Sequence, residues 1–327
     1  MGRSSWAPLI GDRELEAALS VARSIPDIGD VFGFECRLAA DAPRVDLGIG
    51  VARGGSAQRA RLDPLIPMEL RRASPPWARL ADLLDAWQRP TSSLHAWVPS
   101  IFLEFDIDPS GADDVVRGGR AFPTPGVFVT LDWSTDAFPE ERRGPPPEWA
   151  VAREALRFLR GEEWGDERDA VFVNDLPPGA RLVHAGIMLG REGTPSRLSM
   201  TVPRLHLWPW LERRKWDGSF ETLDRFVRHG RDGDDVHVEC DVGIGPGQRV
   251  GIVIASHGDR CHQVVAEMEK DGLCSHAKGE ALFAWLDGAR ASHHERTLSH
   301  LKLVVDRNGS PEAKAYLVLA PTAVRTL

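Results

Sequence analysis

Two pairs of carboxylates occupy alternate positions of predicted strands. Glu104 and Asp106 lie in one apolar run, and Glu239 and Asp241 lie in another about 135 residues later. Because side chains at i and i+2 of a strand point to the same side, each pair shares one face. Such carboxylates can bind a metal ion or act as general acid and base. The alternative is the solvated face of an antiparallel sheet that packs on one side only.

The last predicted hairpin carries a second polar set. Alternation places Lys302 on one face of its first strand, and it places Lys314 and Tyr316, the single tyrosine of the chain, on the matching face of the second. We expect this face to be exposed and to bind a carboxylate, a phosphate or a peptide main chain through charge-assisted hydrogen bonds. The alternative is a cross-strand network on the surface.

A dense aromatic cluster precedes the helix predicted at 219–229. Trp208 and Trp210 belong to this cluster. Exposed tryptophans dominate many binding sites, so both residues are candidate peptide contacts. If they are buried, they only anchor the helix that follows.

The sequence contains no established catalytic or cofactor motif. The glycine-rich stretch at 243–247 joins two predicted strands and contains Pro246, whereas a dinucleotide-binding loop opens a helix. The histidines and cysteines between 257 and 300 lack recognised zinc-ligand spacing. We therefore expect no cofactor and no metal, and the catalytic residues, if there are any, stay unknown. This favours a role without catalysis.

The elements that must position these residues repeat along the chain. Residues 30–67 and 169–203 share an order of apolar runs and turns, and each is followed by a helix and two further strands. Glu104 corresponds to Glu239 in this repeat. Helices that alternate with antiparallel hairpins predict an α+β fold. We expect tandem duplicated antiparallel-sheet domains with packing helices, or alternatively a single closed pseudo-symmetric antiparallel barrel with outer helices.

A predicted linker sets the domain boundary. Residues 134–148 are rich in proline and charge, as is typical of a stiff, solvated connection. The boundary gives an N-terminal α+β domain at 1–138 and a C-terminal α+β domain at 139–327. The second domain has an extra helical segment and final hairpin at 259–320.

The composition limits the possible partners. The chain has 327 residues, 42% of them hydrophobic, a formal net charge of −8 and a pI of about 5.8. An acidic chain without a basic stripe argues against a nucleic-acid partner. No apolar run is long enough for a transmembrane helix, and the four cysteines form no CxxC pair. We expect a cytoplasmic, bacterial protein with reduced thiols and no membrane partner.

The last hairpin (299–303 and 312–317), together with Leu103-Glu104-Phe105-Asp106, resembles the peptide-binding proteins of crocagin-type biosynthesis in myxobacteria. These belong to RiPP biosynthesis, in which ribosomal peptides are modified after translation. The resemblance implies a non-catalytic protein that holds a precursor peptide and presents it to enzymes of a pyrroloindoline pathway. Its partners would be that precursor peptide and the pathway enzymes, with a homodimer as a further option.

A second resemblance supports the alternative function, a peptide-modifying enzyme of cyclase or prenyltransferase type. The alternation of helices and hairpins, with a Lys-x-Tyr strand at Lys314 and Tyr316, is similar to the barrel of aromatic prenyltransferases. Some of those enzymes act on ribosomal peptides, and they bind pyrophosphate with several Lys, Arg and Tyr residues inside the barrel. This chain departs from that pattern because it has one tyrosine.

Overall fold

A computed structural model of the chain describes residues 5–39, 41–55, 65–107, 122–131, 148–160, 176–191, 196–229, 234–242, 249–254, 259–288, 294–305 and 311–321. The predicted domain boundary at 138/139 and the glycine-rich stretch at 243–247 lie outside the described residues. The same holds for the start of the second repeat at 169–175.

Ten antiparallel strands form one closed barrel. They are β1 Val31–Arg37, β2 Val45–Ala52, β3 Ser100–Phe105, β4 Gly126–Thr130, β5 Arg181–Met188, β6 Ser196–Pro203, β7 Asp235–Val242, β8 Val250–Ile254, β9 His294–Val305 and β10 Pro311–Pro321. Each strand pairs with its neighbours in sequence, and β1 closes the ring by pairing with β10. This architecture confirms the alternative prediction of a single barrel with outer helices. Strands from both predicted domains share the sheet, because β4 pairs with β5.

Helices cover the outside of the barrel. In the described residues they are α1 Asp12–Ser24, α2 Met68–Ala73, α3 Pro75–Gln88, α4 Ser93–Trp97, α5 Glu148–Arg160, α6 Arg204–Arg213, α7 Phe220–His229, α8 Asp259–Lys270 and α9 His276–Asp287. α3 shows why such segments become helices: Ser74 precedes it, and prolines fill its first turn, where their missing N–H groups cost nothing. Its apolar face, including the fully buried Trp77 and Trp87, packs against the sheet.

Both faces of the sheet are enclosed. On β2, Leu47, Ile49 and Val51 are at most 3% exposed and join the core between the barrel and the helices. The intervening positions, such as Asp46 and Gly48, face the interior of the barrel. The polar strand faces, which the sequence predicts to be solvated, therefore line an interior. The closure of the sheet, which no single strand reveals, causes this difference.

The repeat has a shorter unit than the sequence predicts. Five strand pairs, each a hairpin in chain order, are separated by helices. Glu104 and Glu239 do occupy matching strands, because β3 and β7 each open a hairpin. The two repeats, 30–67 and 169–203, do not correspond strand for strand, because Gly48 of the first lies on the second strand of its hairpin and Gly186 of the second lies on the first. The extra C-terminal segment is simply the fifth hairpin with the helices before it.

Candidate functional site in the barrel interior

The inward strand faces line one interior, which we call the lumen. Strands join in hairpins at one end of the barrel and lead into helices at the other. The position of a residue along its strand therefore gives its distance from the hairpin end. The hairpin layer comprises Arg37, Asp46, Asp106, Arg191, Arg197, Asp241, Arg249, Glu312 and Lys314. The middle layer comprises Glu35, Glu104, Glu239, Lys302 and Tyr316. The helix layer comprises Phe102, His184, His237 and His300.

The predicted Lys302, Lys314 and Tyr316 do converge, but in the lumen. Lys302 is 4% exposed and Lys314 is 2% exposed, so the expected exposed face is wrong. The Lys302 ammonium donates to the Glu239 carboxylate and, at 3.3 Å, to the Tyr316 hydroxyl oxygen. Lys314 donates to Glu35 at 2.5 Å. These contacts bind four strands, β1, β7, β9 and β10, into one internal ionic network.

Glu35 is the centre of that network, and sequence analysis missed it. Its carboxylate accepts hydrogen bonds from Lys314, from Arg37 at 2.7 Å and from the Tyr316 hydroxyl. Burial raises the pKa of Glu35, but the charges of Lys314 and Arg37 outweigh burial and hold the pKa well below its ordinary value. Glu35 is therefore an ionised carboxylate. Strand alternation in β1 places Glu35 and Arg37 on one face, and this signal was available in the sequence.

The carboxylates of β7 are paired as well. The Arg197 guanidinium lies 2.7 Å from Asp241 and 3.4 Å from Glu239. Burial raises the pKa of Glu239, but Lys302 and Arg197 lower it further, to about 2. Asp106 pairs with Arg191 at 2.6 Å, and its side chain is 51% exposed, which places this pair at the rim.

Glu104 differs from every other acid of the middle layer. Among the described residues, no hydrogen bond or ion pair reaches its carboxylate. Burial and the negative charge of Glu35 raise its pKa to about 7, although Arg197 acts in the opposite direction. At neutral pH this carboxyl therefore exchanges a proton easily and offers oxygens that can still accept a hydrogen bond.

Three cations of the hairpin layer converge on Glu312. Arg37 lies 2.8 Å, Arg249 2.9 Å and Lys314 3.4 Å from its carboxylate oxygens. The Glu312 side chain is 32% exposed, so it can leave without rearrangement of the core. The three cations form a site for an anion, which the protein's own carboxylate occupies.

The helix layer is aromatic and uncharged. The His300 ring stacks on Tyr316 with centroids 4.1 Å apart, and Phe102 meets His184 edge-on. His237 shares a 2.5 Å hydrogen bond with Ser199. Burial and the charge of Lys302 lower the pKa of His300 to about 3, and burial and His184 lower that of His237 to about 4. Both rings are neutral at physiological pH.

Trp208 and Trp210 lie elsewhere, on α6 outside the barrel. Trp210 is 1% exposed and belongs to the core between helix and sheet. Trp208 is half-buried, with its ring 6.3 Å from that of Phe220. The prediction that Trp210 contacts a peptide is wrong, because a buried indole has no free surface. Trp208 contacts Phe220 of α7 but keeps part of its surface exposed, so its contact with a peptide stays a prediction.

A small cavity opens between the charged layers. It has a volume of about 10 Å³, enough for roughly one water molecule, and is lined by Arg197, Glu239, Lys302 and Arg249, among others. Among the described residues, no group of three or more His, Cys, Asp or Glu side chains is arranged to hold a metal ion. The helices of the described part of the chain include none long and apolar enough to cross a membrane.

Comparisons with known proteins identify the fold. No protein-family model matches the sequence, and no curated protein matches it. The structure is similar to 5-dimethylallyltryptophan synthase from Streptomyces coelicolor, with a TM-score of 0.53 and 16% identity over 99% of this chain and 95% of that chain. It is also similar to the prenyltransferase PriB, solved with L-tryptophan and dimethylallyl thiolodiphosphate, with a TM-score of 0.54 and 15% identity over 97% and 95% of the two chains. The chain thus has the barrel fold of these tryptophan prenyltransferases.

Proposed function

We propose that this chain transfers an allyl group from an allylic diphosphate to an indole ring bound in its lumen. The observation that carries the proposal is Glu104, a half-buried lumen carboxyl with a pKa raised to about 7, beside a cluster of cations. The fold is that of proteins whose names state this chemistry, which supports the same reaction class here. Because a fold alone does not decide function, the lumen residues must supply the chemistry.

Glu104 has the properties that an indole acceptor requires. Its carboxylate can accept a hydrogen bond from the indole N–H and so increase electron density in the ring as the ring attacks. A carboxyl with a pKa near the working pH suits such proton sharing. The rate should therefore rise with pH through about 7, as Glu104 becomes ionised.

The donor diphosphate fits the anion site of the hairpin layer. Arg37, Arg249 and Lys314 already hold the Glu312 carboxylate, and a diphosphate offers them more charge and more oxygen acceptors. In the reaction, the allylic C–O bond breaks and diphosphate leaves. A carbon–carbon bond to the ring forms, and the ring proton passes to the released diphosphate. The faces of Tyr316 and His300 lie next to this path, and aromatic faces stabilise cations.

The acceptor we favour is a tryptophan in a peptide. The resemblance of the last hairpin to peptide-binding proteins of modified-peptide biosynthesis motivates this choice. The barrel strands end in hairpins at one end, where an extended segment can insert its indole side chain into the lumen. On this proposal, a precursor peptide and its pathway enzymes are the partners.

The test is transfer by the purified protein. Dimethylallyl diphosphate should be incubated with L-tryptophan and with tryptophan-containing peptides, and the products analysed by mass spectrometry. We expect the replacement of one ring hydrogen by a dimethylallyl group. Glu104→Gln should remove most of the activity and the rise in rate near pH 7. Glu280→Gln, the same change on an exposed helical surface, should leave both intact.

A second candidate function is peptide binding without chemistry. It is favoured by one observation: each cation of the inner network, namely Arg37, Arg197, Arg249, Lys302 and Lys314, lies within 3.4 Å of a lumen carboxylate. Because these charges are already compensated, a diphosphate gains less electrostatic binding energy there than in a barrel whose cations are unpaired. Calorimetry that detects a tryptophan-containing peptide, combined with no transfer at saturating donor, would favour this candidate over the first.

A further inference from the structure

Glycines in the barrel occupy unusual positions. Glycine is disfavoured inside strands, and where it occurs it often marks close approach of a ligand or another chain segment. In the described strands, six glycines alternate with core residues and so face the lumen: Gly33, Gly48, Gly50, Gly126, Gly186 and Gly251. Each needs a physical reason for lacking a side chain.

Most of these glycines are explained by atoms of the chain itself. A Cβ on Gly50 would stand 3.0 Å from the ring of Phe102, and one on Gly186 would meet the ring of Phe128. On Gly126 it would stand 2.8 Å from the sulfur of Met188, and on Gly251 2.9 Å from the side chain of Lys302. These four glycines accept a side chain that lies flat on the strand.

Gly33 has a backbone neighbour instead. A Cβ there would stand 2.8 Å from the carbonyl oxygen of Leu317, next to the irregularity in the pairing of β10 with β9. The absence of a side chain at Gly33 is therefore explained by the close approach of β10.

Gly48 is the exception among the described lumen glycines. The atoms nearest to a Cβ at this position belong to the backbone of Gly33, at 3.8 and 4.0 Å, which is ordinary van der Waals contact. No side chain of the described residues lies within 4 Å of that point. Gly48 lies directly opposite Gly33 on β1 and opposite Glu104 on β3. Gly48 thus leaves an open strand position beside the lumen carboxyl of Glu104.

We propose that Gly48, next to the backbone of Gly33, forms the floor on which the face of the aromatic acceptor lies, with the ring edge directed at Glu104. This inference rests on the proposed function and names the acceptor subsite within it. The barrel already packs two of its own rings on strand glycines, Phe102 on Gly50 and Phe128 on Gly186. Phe102 is the next residue of β3 on the lumen face after Glu104, and its ring forms an aromatic wall beside Gly48. Aromatic rings favour such offset or edge contacts.

The floor also determines selectivity. A flat ring can approach the backbone of β1 and β2 because no Cβ separates them, whereas a branched aliphatic group cannot use this contact. A substituent at Gly48 would fill the space of the ring and displace it from Glu104. The site should therefore select flat indole or phenyl groups over branched aliphatic side chains of similar size.

Gly48→Ala and Gly48→Val test the floor. A Cβ at Gly48 has room, and the backbone there is extended, so the melting temperature of Gly48→Ala should be unchanged or higher. Binding of L-tryptophan and N-acetyltryptophanamide should be measured by calorimetry. We expect Gly48→Val to weaken binding roughly ten- to a hundredfold and Gly48→Ala to weaken it less, because overfilling a packed contact is costly.

The control is Thr201→Val, a nearly isosteric lumen change on β6, across the barrel from β2. It should leave the affinity for both probes unchanged, and neither Gly48 variant should alter the affinity for inorganic pyrophosphate. Unchanged tryptophan affinity in Gly48→Val would overturn the floor. Absence of any aromatic binding by the unaltered protein would overturn it too. Gly48-dependent binding without transfer would sustain the floor and reject the transferase function.

Discussion

The two ends of the lumen are built on the same alternating strands, yet they hold opposite kinds of side chain. The hairpin layer is a network of arginines, lysines and carboxylates within hydrogen-bonding distance of one another. The helix layer contains histidines and aromatic rings. Burial disfavours the charged form of a side chain at both ends. Opposite charges compensate for this cost only where they lie next to each other. Ionised groups therefore persist at one end, and neutral ones occupy the other.

This contrast gives the barrel an internal polarity. An anion such as diphosphate belongs at the hairpin end, and an apolar allyl chain and an aromatic acceptor belong toward the helix end. Glu104 stands between the two regions. Its pKa is raised by burial and by the negative charge of Glu35, its neighbour in the middle layer.

The largest effect should come from breaking the ionic network. Lys302→Ala leaves Glu239 in the interior with only the more distant Arg197, and removal of one partner of a buried ion pair costs about 3–5 kcal/mol. Urea unfolding should show this loss in the free energy of unfolding. The result would reverse the sequence-based expectation that Lys302 belongs to a dispensable surface.

A double-mutant cycle controls this experiment. Adding Glu239→Gln to Lys302→Ala should cost less than the sum of the single changes, because the stranded charge is removed. Lys270→Ala, on the exposed side of α8, should be nearly neutral. Additive costs for Lys302 and Glu239 would mean that the two side chains do not act as a pair.

The next effect concerns pH and Glu104. Because its pKa is raised from 4.5 to about 7 on folding, the folded state holds this proton more tightly. Its contribution to stability is most favourable below pH 4.5, falls as the pH rises to 7, and stays low above that. Glu104→Gln should therefore stabilise the protein by roughly 2 kcal/mol at pH 8 and have little effect at pH 4.5. Melting temperatures of the two proteins should be measured at pH 4.5 and pH 8. An equal gain in stability at both pH values would contradict a raised pKa of Glu104.

A smaller effect is expected at the anion site. Glu312→Gln removes one carboxylate charge from the cluster of Arg37, Arg249 and Lys314, so inorganic pyrophosphate should bind roughly tenfold more tightly. Calorimetry at low salt measures this directly. Glu280→Gln changes the net charge equally but lies on the outer surface, and it should not alter the affinity. Equal affinities in the two variants would place the anion elsewhere.

The smallest effect is spectroscopic. The pKa values of about 4 for His237 and about 3 for His300 predict ring proton resonances that do not move between pH 5 and 8. Substitution of each histidine by asparagine assigns its signal in NMR spectra. A titration midpoint near neutrality for either ring would show that charge extends into the helix layer.

The strand patterns determined a large part of this outcome from the sequence. Alternation correctly grouped Lys302 with Lys314 and Tyr316, and Glu104 with Asp106, because the side-chain period of two is a local property of extended backbone. The order of helices and hairpins predicted an α+β fold and included the closed barrel as one of two options. The C-terminal hairpin was recognised from the same alternation.

Only the tertiary structure decided which face was inside. The closure of β1 against β10, whose strands lie almost 280 residues apart along the chain, turns the polar face into a lumen. The same closure brings Glu35 to Lys314, whereas the pairing of β2 with β3 sets Gly48 beside Glu104. Trp210 is buried between α6 and the sheet. Local periodicity reports that two faces differ, whereas burial depends on what covers each face. Contacts between distant strands supply that cover, and so they determine both the charges and the site.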